Sequence, residues 1–528
     1  MGGPGLGVIA AGHPVTARVG ADVLREGGNA VDAAVGAMLA SFACEPLLTG
    51  LGAGGYMLVA GPGQAPVLLD FFVQAPGHGA EQSARAELLP VSVSFGEAIQ
   101  VFNIGAASVG TYGLPAGLCE AAARFGRVPL AELVPVAAAL ARDGVELGPP
   151  QAYVVALLRD IVTSTPECAA LFAPDGNLLR VGEKIRQPEL GDALERLGGE
   201  GAAPFYTGEI ASAIVAWVGA RGGMLTASDL ERYAVIDRAP VRVSYRGREV
   251  LTNPPPSAGG ILLARALTLL GAEPGPPSLE RVLAAMERTQ AERTPEFLAG
   301  LDDRGFIERF LQRGGAPDPE GDLGSDGDPL AAAESAQRLP TGPLGSTTHI
   351  AVLDRDGWAC SVTCSNGSSS GVVVPGTGVH LNNMLGEQDL NPLGFHRHPP
   401  GRRLPSMMAP TIVLGDGLPE LVVGSAGSNR IRSAILQTIL RVIDDRLPAG
   451  EAVRAPRVHF EDGVVYAEPG IDTGSLHRAG RPISRFGELN LFFGGVQAVA
   501  QEATGTGAFS GGGDPRRGGA AIVVEGQA

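Results

Sequence analysis

The residue with the clearest chemical potential is Thr347, at the start of a strand-like run over 347–354. A threonine hydroxyl is a weak nucleophile and needs a base that takes its proton. A free α-amine has a pKa of about 7.7–8.0 and can be that base near neutral pH, but an internal threonine lacks one. Cleavage of the bond between Ser346 and Thr347 would create the amine beside the hydroxyl. The sequence thus favours an N-terminal nucleophile that the chain makes by self-cleavage.

The segment after Thr347 predicts a hydroxyl partner for it. Apolar side chains alternate on both sides of the turn signal 354–357, which is typical of a β-hairpin. If the strands fold back about Asp356, Thr347 faces Ser365, and directly opposed residues have Cβ atoms about 4.5–5.5 Å apart. A slip of one residue would send Ser365 to the other face. Threonine is also favoured at strand starts by β-propensity alone, so the hairpin by itself leaves a purely structural role open.

Helical and strand patterns account for most of the remaining chain. Val15, Val19 and Val23 recur at helical spacing, and an all-apolar, buried helix is expected from about Asn29. Further predicted elements are strands at 56–59, 67–69 and within 241–252, a mostly helical region over 100–240, and a helix from Ile261.

Residues 314–346 differ from the rest of the chain in composition. Gly, Pro and Asp dominate there, and such a segment cannot form a packed core. We interpret it as a flexible acidic linker that ends at the proposed cleavage bond. This interpretation divides the chain into regions 1–346 and 347–528, both within one folded unit.

The bulk composition excludes several classes of protein. Forty Lys and Arg against 56 Asp and Glu give a net charge of −16, which argues against nucleic-acid binding. The longest apolar run, 33–44, is shorter than the ~20 residues of a membrane span. With no signal-peptide pattern at the start, we expect a cytoplasmic protein. Five cysteines without CxxC spacing indicate reduced thiols, and we expect neither a metal nor another cofactor.

Ordered motifs along the chain resemble those of one enzyme family. The runs 27–34, 254–260, 347–357 and 371–383 are similar to stretches of the γ-glutamyltransferase (glutathione hydrolase) family, and the resemblance spans nearly the whole chain. It implies an α+β fold, the four-layer αββα sandwich of N-terminal nucleophile hydrolases. It also implies a precursor that cuts itself before Thr347 into a large and a small subunit.

The resemblance implies roles for individual residues. Thr347 would attack a small-molecule γ-glutamyl amide such as glutathione, and water or an amino acid would release the acyl group. Ser365 matches the hydroxyl that supports the nucleophile. Gly427 and Ser428 match a Gly-Gly pair whose backbone N–H groups form the oxyanion hole. The positions that meet the substrate's amino group correspond here to Asn366, Met384 and Glu387.

The positions that would bind the substrate's α-carboxylate depart from the family. Phe72 stands in place of an arginine, and Pro405-Ser406 replaces a pair of serines. An ionic clamp thereby becomes an aromatic wall. Hydrogen bonds to charged groups contribute about 1.5–3 kcal/mol each, so we expect weaker glutamyl binding unless Arg402 or Arg403 compensates.

Three functions are therefore open. The first is a self-cleaving enzyme that hydrolyses or transfers the acyl group of γ-glutamyl amides through a Thr347 acyl-enzyme. The second is a related acylase that takes a non-glutamyl acyl group. The third is an uncleaved pseudoenzyme that only binds.

Overall fold

The computed structural model describes residues 5–79, 87–94, 99–301, 303–312, 346–391, 394–474, 476, 482–501 and 508–526. Of the predicted linker 314–346, only Ser346 belongs to these ranges, so the linker prediction lies outside the described residues.

A seven-stranded antiparallel sheet, the first sheet, carries the segment that begins at Thr347. Strands from before and after residue 346 are interleaved in it, since Gly5–Ala11 pairs with Thr347–Asp354. The spatial order is Ala520–Glu525, Gly5–Ala11, Thr347–Asp354, Ala359–Ser365, Gly54–Ala60, Val67–Phe71 and Ile236–Arg238.

A six-stranded antiparallel sheet, the second sheet, packs face to face on the first. The layer between them is apolar and includes Leu58 and Ala351 from the first sheet and Ile412 and Val422 from the second. Its strands, in spatial order, are Phe509–Gly513, Gly495–Gln501, Leu418–Ala426, Thr411–Gly415, Arg248–Thr252 and Val241–Tyr245.

Helices cover the outer face of each sheet and complete four layers. The first sheet is covered by Pro14–Arg25, Ala30–Cys44, Leu114–Phe125, Leu130–Asp143, Pro188–Glu200 and Glu209–Gly219. The second is covered by Ala258–Gly271, Leu279–Ala291, Arg430–Ile443 and Ala449–Arg454. The predicted α+β sandwich of four layers is confirmed.

The other elements are shorter or lie outside the two sheets. The helices are Pro149–Leu157, Arg159–Val162, Pro166–Phe172, Ala203–Tyr206, Ala227–Glu231, Pro295–Gly300 and Arg304–Gln312. The strands are Leu89–Ser94, Ile99–Ile104, Val145–Glu146, Lys184–Ile185, Val373–Val374, Val379–His380, Val458–Glu461, Val464–Ala467 and Ile483–Arg485. Within the described ranges, no helix has both the length and the apolar character that crossing a membrane requires.

Local sequence signals explain where several helices begin. The buried helix Ala30–Cys44 starts after Asn29, whose side chain and that of Asp32 form a reciprocal capping box. The helix predicted from Ile261 begins earlier, at Ala258. Glycine is a poor helix former, but the start of this helix packs so closely on the chain that a Cβ on Gly259 would overlap the backbone of Met407. Close packing therefore requires glycine there in spite of its low helix propensity.

Candidate active site

The hairpin of Thr347–Asp354 and Ala359–Ser365 brings two hydroxyl-bearing residues opposite each other. Thr347 pairs with Ser365 in the strand register. Both are buried, with 5% of Thr347 and 3% of Ser365 exposed to solvent. The predicted hairpin and its register, folded back about Asp356, are confirmed.

The Ser365 hydroxyl contacts the peptide bond that precedes Thr347. It donates a hydrogen bond of 2.6 Å to the carbonyl oxygen of Ser346 and accepts one of 3.0 Å from the N–H of Gly367. A donor at a carbonyl oxygen stabilises the negative charge that develops there when a nucleophile attacks the carbon. Gly367 has φ +70°, and a Cβ there would overlap Oδ1 of Asn383, so the site requires glycine at this position.

Thr347 and Ser365 open into a small cleft with a volume of about 50 Å³. Four predicted substrate-binding residues line it, namely Phe72, Met384, Glu387 and Ser406, together with Ser428. Sequence reasoning missed Gly367, Asp389, Leu390, Met407, Met408 and Ile431, which also line it. Among the described residues, no lysine, arginine or histidine side chain belongs to this wall.

Two predicted substrate-binding residues do not line the cleft. The side-chain nitrogen of Asn366 donates to the carbonyl oxygens of His380 and Leu381, both at 3.4 Å, and the residue is fully buried. Pro405 precedes the lining residue Ser406 but is not part of the wall. The only sequence signal for the missed Asp389 was its place two residues after Glu387.

Phe72 forms a rigid aromatic part of the cleft wall. It is fully buried, and its ring stacks on that of Tyr56 with centroids 5.1 Å apart. Its carbonyl oxygen accepts a 2.8 Å hydrogen bond from the Tyr233 hydroxyl. Because an unpaired carboxylate is costly to bury against an apolar surface, this wall favours an uncharged group on the ligand.

Arg403 does not substitute for the arginine that Phe72 replaces. Its Nε lies 3.2 Å from Oδ1 of Asp70, and its guanidinium carbon lies 4.4 Å from the centroid of the Tyr233 ring. Asp70 also pairs with Arg238 at 2.7 Å. Arg403 thus belongs to a buried ion-pair network, and neither it nor Arg402 lines the cleft. Neither of the two arginines that could have compensated for Phe72 therefore lies in the cleft wall.

In the part of the chain that the structure describes, two carboxylates line the cleft. Oε1 of Glu387 accepts hydrogen bonds from the N–H and the hydroxyl of Ser368 at 2.9 and 2.8 Å, and burial raises the pKa of Glu387 despite them. Oδ2 of Asp389 accepts a 2.6 Å hydrogen bond from the Ser428 hydroxyl. Burial raises the pKa of Asp389, while this bond and the charge of Arg293 act in the opposite direction. The cleft is therefore apolar with an acidic portion.

Gly427 and Ser428 both have positive φ, at +122° and +51°. A Cβ on Gly427 would lie 2.9 Å from Cα of Gly494, which adds a steric requirement for glycine. Within the described part of the chain, neither backbone N–H has a hydrogen-bond acceptor. Ser428 lines the cleft, whereas Gly427, the other predicted oxyanion-hole residue, does not.

Ser346 lines a second, larger cavity of about 330 Å³ with a mostly apolar wall. Glu45 also lines it and accepts a 3.1 Å hydrogen bond from the Thr348 hydroxyl. Burial raises the pKa of Glu45 to about 7, against the effects of that bond and of the Arg517 charge. Since Thr347 lines the cleft and Ser346 this cavity, the bond between them lies at the boundary of the two spaces.

Residues 16–524 match the sequence profile of gamma-glutamyltranspeptidase. The chain belongs to the gamma-glutamyltranspeptidase family. It is 31% identical to the glutathione hydrolase proenzyme of Bacillus subtilis (strain 168), over 98% of this chain and 91% of that relative. It is 30% identical to the Acylase ACY 1 proenzyme of Pseudomonas sp. (strain V22), over 95% and 90% of the two chains. The solved structure of cephalosporin acylase from Bacillus halodurans aligns with a TM-score of 0.81 at 26% identity and covers 100% of this chain and 97% of that one.

Membership of the gamma-glutamyltranspeptidase family establishes an enzyme of the glutathione hydrolase type with the N-terminal nucleophile hydrolase fold. The names of the relatives divide between glutathione hydrolases and acylases at nearly equal identity. Family membership alone therefore does not identify the acyl group of the substrate, which depends on the residues that line the cleft of this chain.

Proposed function

We propose that this member of the gamma-glutamyltranspeptidase family is a self-cleaving amidohydrolase or acyltransferase whose acyl group is less polar than glutamate. Thr347 is its nucleophile. The single observation that carries the proposal is the cleft itself, where the opposed Thr347 and Ser365 meet an aromatic wall at Phe72 and no cationic side chain among the described residues. The division into subunits 1–346 and 347–528 is part of the proposal.

Maturation begins at the Ser346 carbonyl. The Thr347 hydroxyl oxygen attacks the carbonyl carbon, and the oxygen that gains charge is the one to which the Ser365 hydroxyl already donates at 2.6 Å. The C–N bond breaks, the hydroxyl proton ends on the new amine, and Ser346 is held as an ester on Thr347. Water then hydrolyses the ester and leaves a carboxylate on Ser346. These steps of self-cleavage require only water and the residues of the chain.

Turnover uses the amine that maturation releases. The α-amine of Thr347 takes the hydroxyl proton while the oxygen attacks the substrate's acyl carbon. The N–H groups of Gly427 and Ser428 stabilise the oxyanion, and the resulting ammonium gives its proton to the departing amine. Water or an amino-acid acceptor then attacks the acyl carbon and gives a proton to the α-amine of Thr347. The ester bond breaks, and the resulting ammonium returns that proton to the Thr347 oxygen.

The choice of a less polar acyl group follows from the charges around the cleft. A substrate α-carboxylate would lie against Phe72 and near Glu387 and Asp389, and no arginine among the described residues lines the wall to balance it. An unpaired charge in such a place is strongly unfavourable. Met384, Met407 and other apolar residues instead offer the contact surface that an aliphatic or aromatic acyl chain requires. The acylase-named relatives support this choice.

A γ-glutamyl amide such as glutathione is the second candidate, and one observation favours it. Glu387 and Asp389 provide carboxylates that would attract the ammonium group of a glutamyl substrate, and Ser406 retains one hydroxyl for its carboxylate. The glutathione hydrolase relatives support this reading. An uncleaved binding protein has no comparable support, because the Thr347–Ser365 pair is intact.

A panel of p-nitroanilides that differ only in the acyl group separates the two candidates. We expect kcat/KM for hexanoyl and phenylacetyl anilides to exceed that for γ-glutamyl-p-nitroanilide by at least about tenfold, the effect of one lost charged hydrogen bond. The control is Thr347→Ala, which lacks the hydroxyl that both self-cleavage and turnover require and should hydrolyse none of them. A preference for the γ-glutamyl compound would favour the second candidate and reject the less polar acyl group.

A further inference from the structure

The backbone of Ser428 has a conformation that its residue type disfavours. Its φ is +51°, in the left-handed region that glycine adopts readily and other residues rarely. Its hydroxyl donates a 2.6 Å hydrogen bond to Oδ2 of Asp389, which is thirty-nine positions earlier in the chain. A residue in a disfavoured conformation persists only where its surroundings hold it there. This side-chain bond, here named the Asp389–Ser428 clasp, is such a restraint.

The turn that carries Asp389 is itself tied to the segment that follows Ser428. Asp389 lies in the short 3₁₀ turn Gln388–Leu390. Arg293 donates to the carbonyl oxygen of Asp389 at 3.5 Å and to Oδ1 of Asn429 at 3.3 Å. Arg293 therefore links the turn of Asp389 to the segment after Ser428 without using either side chain of the clasp. The carboxylate of Asp389 accepts the hydrogen bond from the Ser428 hydroxyl.

We propose that Asp389 is a positioning residue that holds the Ser428 N–H toward the acyl oxygen during turnover. The proposal rests on the proposed function, in which the Gly427 and Ser428 N–H groups stabilise the oxyanion. Gly427 has no side chain by which it could be held, and the space beside it, next to Gly494, would not admit one. Ser428 has a side chain, and the clasp fixes its backbone in the conformation that presents the N–H. Asp389 thus acts through Ser428 and not on the substrate.

A double-mutant cycle in the full chain tests this assignment. Asp389→Ala and Asp389→Asn are made with Ser428 present and in the Ser428→Gly background. Loss of one oxyanion donor lowers kcat by about 10²–10³, so a misplaced donor should cost Asp389→Ala about ten- to a hundredfold in kcat, with KM changed less than about threefold. Asp389→Asn keeps an acceptor oxygen and should lose less. In the Ser428→Gly background, the fall in kcat on Asp389→Ala should shrink to less than about threefold, because glycine adopts positive φ unaided.

An equal loss of kcat in both backgrounds would overturn the proposal, since Asp389 would then act on the substrate or on the fold directly. A rise in KM with unchanged kcat would overturn it in the same way and assign Asp389 to substrate binding. Asp160 is an exposed aspartate in the helix Arg159–Val162, and Asp160→Ala is the control for the loss of a carboxylate.

Thermal unfolding of the same proteins tests the clasp without any substrate. We expect Asp389→Ala to lower the unfolding midpoint when Ser428 is present and to leave it unchanged or higher in the Ser428→Gly background. A similar lowering in both backgrounds would overturn the proposal. If the parent hydrolyses no anilide of the panel, the proposed function fails, and this thermal comparison still decides whether the clasp exists.

Discussion

Glu45 links the stability of the uncut chain to pH. It is buried beside the strand that begins at Thr347, and its carboxylate accepts the Thr348 hydroxyl. Burial raises its pKa from 4.5 to about 7. The folded chain therefore binds this proton more tightly than the unfolded chain does. Its contribution to stability is present below about pH 4.5 and is lost as pH rises towards 7.

Glu45→Gln should remove this dependence, because glutamine cannot ionise but can still accept the Thr348 hydrogen bond. A change from 4.5 to about 7 corresponds to roughly 3 kcal/mol at about 1.4 kcal/mol per pKa unit. Between pH 5 and pH 8, we thus expect the free energy of unfolding of Glu45→Gln to rise by about 2–3 kcal/mol relative to that of the parent.

Urea unfolding at several pH values measures this difference. Both proteins also carry Thr347→Ala, which we expect to keep the chain uncut and in the form described. Glu132→Gln makes the same chemical change on the exposed face of the helix Leu130–Asp143 and is the matched control. A stability difference between Glu45→Gln and its parent that stays constant from pH 5 to pH 8, or that changes in the opposite direction, would refute the reasoning.

Three further substitutions probe the hairpin, the cleft and the ion-pair network. Ser365→Ala removes the donor to the scissile carbonyl and should slow self-cleavage by about a hundredfold, as followed on denaturing gels. Ser365→Thr keeps a hydroxyl and should still cleave itself, and equal cleavage rates for Ser365→Ala and the parent would contradict this role. Met384→Glu adds a carboxylate where a glutamyl ammonium would lie and should raise kcat/KM for γ-glutamyl-p-nitroanilide by about tenfold, and a fall would count against the assignment. Arg403→Ala leaves Asp70 with one ion-pair partner and should lower the free energy of unfolding by about 3 kcal/mol, and an unchanged urea midpoint would show that the network is dispensable.

The hairpin could be predicted from the sequence because its signals are local. Alternation of apolar side chains fixes which face is buried, and the turn at 354–357 fixes the register. Together they placed Thr347 opposite Ser365. The buried helix Ala30–Cys44 was equally visible, since its residues are apolar on all sides and a capping box marks its start.

The cleft wall depended on contacts that no local pattern encodes. Asp389 and Ile431 reach the cleft through loops and helix starts whose approach is decided by tertiary packing. The pairing of Arg403 with Asp70 joins residues 333 positions apart, so the sequence could not show that this arginine was already engaged. The family resemblance matched Gly427 and Ser428 to a Gly-Gly pair, but it gave no sign of the hydrogen bond from the Ser428 hydroxyl to Asp389.

Intact-mass analysis and N-terminal sequencing of protein that is turning over an anilide test the central claim most directly. The account predicts two chains that remain associated, with the shorter one, 347–528, beginning at a Thr347 whose α-amine is free. Full turnover by a preparation in which residues 346 and 347 are still joined would contradict it.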